Sequence, residues 1–168
     1  MKSKIFILFL SIFMNAKDIE GSPLFQNFDR QAFYSILKSG SADEIDNEIA
    51  LLSVGTIIEK NAYIGTLLMK KADLVSLPKD KLSLFKAGRI KLETALASDS
   101  SNVEYHFLRL MIEEHAPKIV KYHSRLPDDS RYIQKYFRKL PPVVQHAVLD
   151  YSKTSKILHP ENLIFATE

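Results

Sequence analysis

Ser101-Asn102-Val103-Glu104-Tyr105-His106-Phe107-Leu108-Arg109-Leu110-Met111-Ile112-Glu113-Glu114-His115-Ala116-Pro117 is the stretch whose reading decides the fold. At 100° per residue, Val103, Phe107, Leu108, Leu110, Met111 and Ile112 spread round most of a helix and leave a narrow polar strip. His106, Arg109 and Glu113 share that strip. A helix that is apolar nearly all round lies inside a protein. Ser101 to Glu104 reads as a capping box, in which the Ser101 hydroxyl accepts the Glu104 amide and the Glu104 carboxylate reaches back. Pro117 ends the helix. The expected object is an all-α protein centred on this segment, either a compact helical bundle or a short α-solenoid of antiparallel helix pairs, with about seven helices.

Upstream, Asp29 is placed to cap a helix through Phe33, Ile36 and Leu37 that stops at Ser39-Gly40. Ser41-Ala42-Asp43-Glu44 is a second capping box. Its helix runs to about Ser53, with Ile45, Ile49 and Leu52 inward and its acids at the positive end of the macrodipole. A third helix from Gly55 or Thr56 carries a seam of Ile58, Ala62, Gly65, Met69 and Ala72, at helical steps of four and three. Gly65 costs about 1 kcal/mol of helix propensity relative to Ala, which points to close approach of another helix. Pro78 opens a fourth, running from about Lys79 to Ala97. There Leu82, Leu84, Phe85, Ile90, Leu92, Ala95 and Leu96 look inward, and Lys81, Lys86, Arg89, Lys91 and Glu93 outward.

Downstream, Ile119, Val120 and Tyr122 form a short apolar patch before a loop from His123 to Pro127. Asp128 and Asp129 sit in the first turn of a sixth helix, whose Tyr132, Ile133, Tyr136, Phe137 and Leu140 share a face. Pro141-Pro142 breaks it and starts a seventh, with Val144, Ala147, Val148 and Tyr151 inward. Regular structure ends at His159-Pro160, after which Ile164 and Phe165 offer the tail a place to dock.

The chain has 168 residues, enough for one domain with a sizeable core, and no cysteine. Disulfides, thiolate nucleophiles, cysteine zinc sites and iron–sulfur clusters are therefore excluded. Lys2 and Lys4 followed by Ile5 to Met14, apolar but for Ser11, form the charged and apolar regions of an export signal. As a helix that run spans about 15 Å, half of a bilayer core of roughly 30 Å. The expected organisation is a signal peptide over residues 1–21, cleaved between 16 and 22, one helical domain over 22–158, and a tail over 159–168. The address implied is periplasmic or secreted, with membrane contact only through an uncleaved leader. Without the leader lysines the charge is nearly balanced. From Lys17 to Lys60 there are 4 basic and 8 acidic residues, an asymmetry that helps the two parts of the chain pack.

Gly88, Leu92, Ala95 and Ser100 stand at the offsets of the second helix of a tetratricopeptide repeat, and Asp99-Ser100-Ser101-Asn102 resembles that family's inter-repeat turn. The likeness covers about half a repeat. No 34-residue period repeats, and Trp is absent. The leader, Tyr63-Ile64-Gly65, and the run from Asn102-Val103-Glu104 to Phe107-Leu108-Arg109-Leu110 also resemble small exported all-helical proteins of Gram-negative bacteria with no assigned function. That resemblance implies an envelope or secreted location and supplies no catalytic residues.

Motifs that carry chemistry are few. The glycine spacing gives neither G-x-G-x-x-G nor a P-loop, and there is no G-x-S-x-G elbow. No catalytic residue, cofactor or metal-ligand set is expected. His106, His115 and His123 are near in sequence, but no H-E-x-x-H exists and His115 projects about 180° from His106. Arg109 and Glu113 stand at i, i+4 and are expected to pair. With His106 they are the candidate ligand-binding residues, as either a structural ion pair or a pocket for a small acid or an anionic peptide end. Arg131, Lys135, Arg138 and Lys139 fall opposite Tyr132, Tyr136 and Phe137 on an ordinary amphipathic helix, so no nucleic-acid partner is expected. The sequence thus favours a non-enzymatic, protein- or peptide-binding helical module. A small-ligand or metal-dependent protein with a polar pocket near Arg109 is the second reading.

Overall fold

In the computed structural model, which describes residues 28–164, the helices follow one another with short connections and no strand occurs among the described residues. They are α1 (Arg30–Ser39), α2 (Ala42–Val54), α3 (Lys60–Leu74), α4 (Pro78–Ser98), α5 (Val103–His115), α6 (Leu126–Tyr136), α7 (Pro142–Ser152) and α8 (Pro160–Ile164), with 3-10 turns at Lys118–Val120 and Phe137–Lys139. The expected leader, residues 1–21, lies outside the described residues, as does Phe165.

The local signals act as their chemistry requires. Asp29 accepts from the amides of Gln31 and Ala32 at the start of α1. Both halves of the capping box form at Ser41 and Glu44, so two otherwise orphaned backbone donors are satisfied. Gly40 and Gly55 end α1 and α2.

The α5 helix separates two apolar cores. On one side Tyr105 and Leu108 join Phe33, Ile45, Leu67 and Leu92 of α1 to α4. On the other, Val103, Phe107 and Leu110 join Ile133, Val144, Val148, Leu158 and Leu163 of the later elements. Partly buried Tyr34 and Met111 touch both cores. Phe107, Leu108 and Leu110 are wholly buried, each contributing about 1.5 to 3 kcal/mol by leaving water. The polar strip is covered as well: Arg109 and Glu113 are buried.

The α3 and α4 helices form the closest pair, an antiparallel hairpin in which Gly65 meets Gly88. A Cβ built on Gly65 would lie 2.7 Å from the Gly88 carbonyl oxygen, and one on Gly88 would lie 2.4 Å from that of Gly65. The glycine seam is therefore a backbone-to-backbone contact.

Several expectations need correction. Ile58 is 93% exposed, because α3 begins at Lys60 and residues 55–59 are turn. Leu82 and Ile90 are exposed rather than inward. With α3 pressed so close at Gly88, only the narrow stripe of Phe85, Gly88, Leu92, Ala95 and Leu96 is covered. Ile119 stands in solvent. Lys121, at φ 48°, turns the chain so that Tyr122 alone of that patch is buried, edge-on to Phe85 of α4. The tail carries an eighth helix, α8, where structure was expected to stop, because Leu163 is almost completely buried in the second core.

Candidate functional site

The strip on α5 faces α4 and α6. Asp129, in the first turn of α6 and completely buried, receives Arg109 in bidentate fashion, Nε to Oδ2 at 2.8 Å and Nη2 to Oδ1 at 2.7 Å. Arg109 Nη1 donates to Glu93 Oε2 at 3.1 Å, and the Tyr122 hydroxyl to Glu93 Oε1 at 2.5 Å. All three guanidinium nitrogens are thus engaged within the protein. Burial opposes the charge on Arg109, but Asp129 and Glu93 together hold it above its ordinary range. Burial likewise opposes the Asp129 carboxylate, and the bonds from Arg109 and His106 outweigh it and bring the carboxyl below its usual range.

His106 flanks this pair. Its Nδ1 lies 2.6 Å from Asp129 Oδ1 and its Nε2 lies 2.9 Å from the Ser100 carbonyl oxygen, while the ring lies against Tyr132. Both partners are acceptors. An imidazolium donates to each of them, whereas a neutral ring donates to only one.

The expected pair between Arg109 and Glu113 does not form. Asp129 offers the guanidinium two parallel bonds, a stronger arrangement than an i, i+4 contact. Glu113 turns instead to the start of α6, where Oε2 accepts the Arg125 amide at 2.9 Å. Its Oε1 has no hydrogen-bond partner among the described residues. Burial raises its carboxyl above the ordinary range, against the pull of that amide. His123 donates through Nδ1 to the Glu113 carbonyl at 2.7 Å. His115 caps its own helix, with Nδ1 3.0 Å from the Met111 carbonyl oxygen. Among the described residues no group of three or more His, Asp or Glu side chains is placed to hold a metal ion.

The capping box at Ser101 does not form either. Asn102 caps α5, accepting the Glu104 and Tyr105 amides, while the Ser101 hydroxyl donates to Asp99 at 2.7 Å. Glu104 is thereby free to turn inward. It accepts from the Tyr34 hydroxyl at 2.9 Å and Arg30 Nε at 3.3 Å, and burial, the largest influence, leaves its carboxyl raised. Near the other end, Glu114 accepts the hydroxyls of Tyr151 and Ser155, each at 2.6 Å, and the Lys156 amide at 2.5 Å. The charged side chains of α5 therefore anchor several neighbours: Glu104 holds α1, Arg109 holds α4 and α6, Glu113 the start of α6, and Glu114 the end of α7.

Beside α5, between α1, α3 and α7, lies a cavity of about 420 Å³. Its floor is apolar: Leu37, Met69, Phe85, Met111 and Ile112. Lys38, Lys70, Asp73, His115, Asp150 and Lys153 surround the mouth. Lys38 of α1 reaches Asp150 of α7 at 2.6 Å, and Lys153 reaches the same carboxylate at 3.4 Å. A volume of this size suits a small ligand or one or two apolar side chains. Arg109, Glu113 and His106 do not line it; of the sequence-chosen histidine cluster only His115 does.

Asp129, Glu93 and Tyr122 were not singled out as site residues. One signal for Asp129 was available: it stands four residues before Ile133, on the inner face of α6. No local signal marks the cavity, whose walls come from distant parts of the chain.

Compared with protein-family models, with curated proteins and with solved structures, the chain gives no match. The fold itself defines the class: an all-α helical bundle built round one central helix.

Proposed function

We propose that the protein is a non-catalytic binding module that holds an apolar stretch of a peptide or protein partner in the cavity beside α5. The observation that carries this reading is the cavity itself, apolar within and ringed by both donors and acceptors. A peptide offers amide donors and carbonyl acceptors to such a ring, while an aliphatic chain offers nothing to Asp73 or Asp150. Two of the lining residues are methionines, whose flexible thioethers adapt to varied side chains. The half-repeat likeness to tetratricopeptide proteins fits this role. We further assign the module to the periplasm or the secreted fraction, on the strength of the lysine-flanked apolar run at the N-terminus.

The test fills the cavity. Ala116 and Ala147 line it from α5's end and from α7, so Ala116→Phe and Ala147→Phe each insert a ring from a different wall. A pool of labelled peptides with randomised apolar positions is expected to be retained on the immobilised full chain and to lose roughly tenfold in retention on either variant, with melting temperatures checked alongside. Equal retention by wild type and both folded variants rejects the reading. Export is tested separately by fractionation with intact mass, which is expected to give a chain beginning between residues 17 and 23.

A further inference from the structure

We infer that the cavity selects the free C-terminal end of its peptide, with the last apolar side chain on the Leu37–Met69–Phe85 floor and the terminal carboxylate at Lys38 and Lys153. This inference rests on the peptide-binding reading above. It comes from the charge arrangement at the mouth, where two ammonium groups converge on one carboxylate, Lys38 at 2.6 Å and Lys153 at 3.4 Å from Asp150. The three groups carry a net positive charge, so a second carboxylate arriving there completes two ion pairs. All three side chains are about half exposed or more, so bringing a carboxylate to them needs little desolvation and the gain from each pair is small. The floor supplies affinity and the mouth supplies selectivity. Asp150 in this arrangement is a competitor. It occupies the lysines when no peptide is bound, and it lowers the affinity for an incoming anion.

The chemistry makes three linked expectations. A peptide with a free C-terminus binds more tightly than the same peptide closed as an amide, by roughly five- to tenfold for two exposed ion pairs. Neutralising the lysines in Lys38→Gln/Lys153→Gln removes that preference, so that free acid and amide are retained to the same extent. Asp150→Asn does the reverse, because removing the competitor widens the preference for the free acid over the amide. A residue that merely holds α7 against α1 would move both peptides together.

The experiment uses the full chain, immobilised, and a pool of N-terminally labelled peptides whose last four positions are randomised, made once as free acids and once as amides. Retention is read by mass spectrometry at two salt concentrations, with dodecanoate as an added competitor. Enrichment of free acids ending in an apolar residue, weakened by salt and by the lysine double variant and strengthened by Asp150→Asn, is the expected result. Acid and amide retained alike, with both lost in Ala147→Phe, overturns the carboxylate selection and leaves the peptide-binding reading standing. No retention of either pool above the cavity-filled variant overturns both. Dodecanoate binding to a cavity that retains no peptide overturns both as well, and assigns the site to a free amphiphile.

Discussion

Two helix pairs of the bundle meet in contrary ways. Where α3 meets α4, side chains are missing: Gly65 and Gly88 bring the backbones into contact. Where α5 meets α6, side chains are charged and buried: Arg109, Asp129, His106 and the nearby Glu93 form one network. The first contact has no room for another atom. The second has no tolerance for a lost one, because any group removed leaves a buried charge without its partner. Adding atoms should therefore damage one pair, and deleting them the other.

The largest effect is expected from deletion in the charged pair. Asp129→Ala leaves Arg109 Nε and Nη2 and His106 Nδ1 without their shared acceptor and should cost about 3 to 5 kcal/mol, read by urea or thermal melts. Replacing both partners, in Arg109→Met/Asp129→Leu, should recover most of that loss, since the desolvation penalty disappears with the charges. The effect depends on acid. The Asp129 carboxyl titrates below its usual range in the folded state, so its stabilisation is complete above about pH 4 and is lost as pH falls through the lowered native value. The gap between wild type and Asp129→Ala should narrow accordingly below pH 4.

Next comes addition at the glycine contact. Gly88→Ala gains about 1 kcal/mol in helix propensity, yet its methyl would sit 2.4 Å from a carbonyl oxygen. Overpacking costs of about 1 to 3 kcal/mol outweigh the gain, and a net loss of about 1 to 2 kcal/mol is expected. A melting temperature equal to or above that of the wild type would show that the two helices can part freely, and the contrast between the pairs would fail.

A smaller effect of opposite sign is expected at Glu113. Burial raises its carboxyl, so in the folded state the ionised form is disfavoured at neutral pH. That cost is present above the raised value and disappears as pH falls toward the ordinary value of about 4.3. Glu113→Gln keeps an acceptor for the Arg125 amide and removes the charge. It should be more stable than wild type by about 1 kcal/mol at pH 8, with the advantage fading toward pH 4. The smallest effect is at the surface, where Lys38→Gln breaks an exposed pair with Asp150 and should change stability by less than about 0.5 kcal/mol. A large loss there would mean that α1 and α7 depend on that pair, and would weaken its assignment to ligand selection.

Local chemistry is what made most of the fold legible. Asp29, Ser41 with Glu44, and the prolines at 78 and 142 act through atoms within a few residues, so each could be placed without knowing the fold. The buried nature of α5 was legible from the angular spread of its apolar residues. Gly65 was legible as a close contact because a glycine in a helical seam has few other uses. What failed were choices between partners. Glu104 had a local alternative in Ser101 and took Tyr34 and Arg30 instead, since Asn102 capped the helix first. Arg109 had Glu113 one turn away and took Asp129, twenty residues on.

The sequence by itself determined that this chain is helical, where most helices begin and end, and that the segment through Phe107 and Leu110 lies inside, because capping, breaking and periodicity are short-range. Only the tertiary structure decided which charged groups meet on α5, which apolar residues of α4 are left in water, and where a cavity opens. Those outcomes depend on how four or five separate helices crowd round the same few ångströms, and a helix carries no local record of its neighbours.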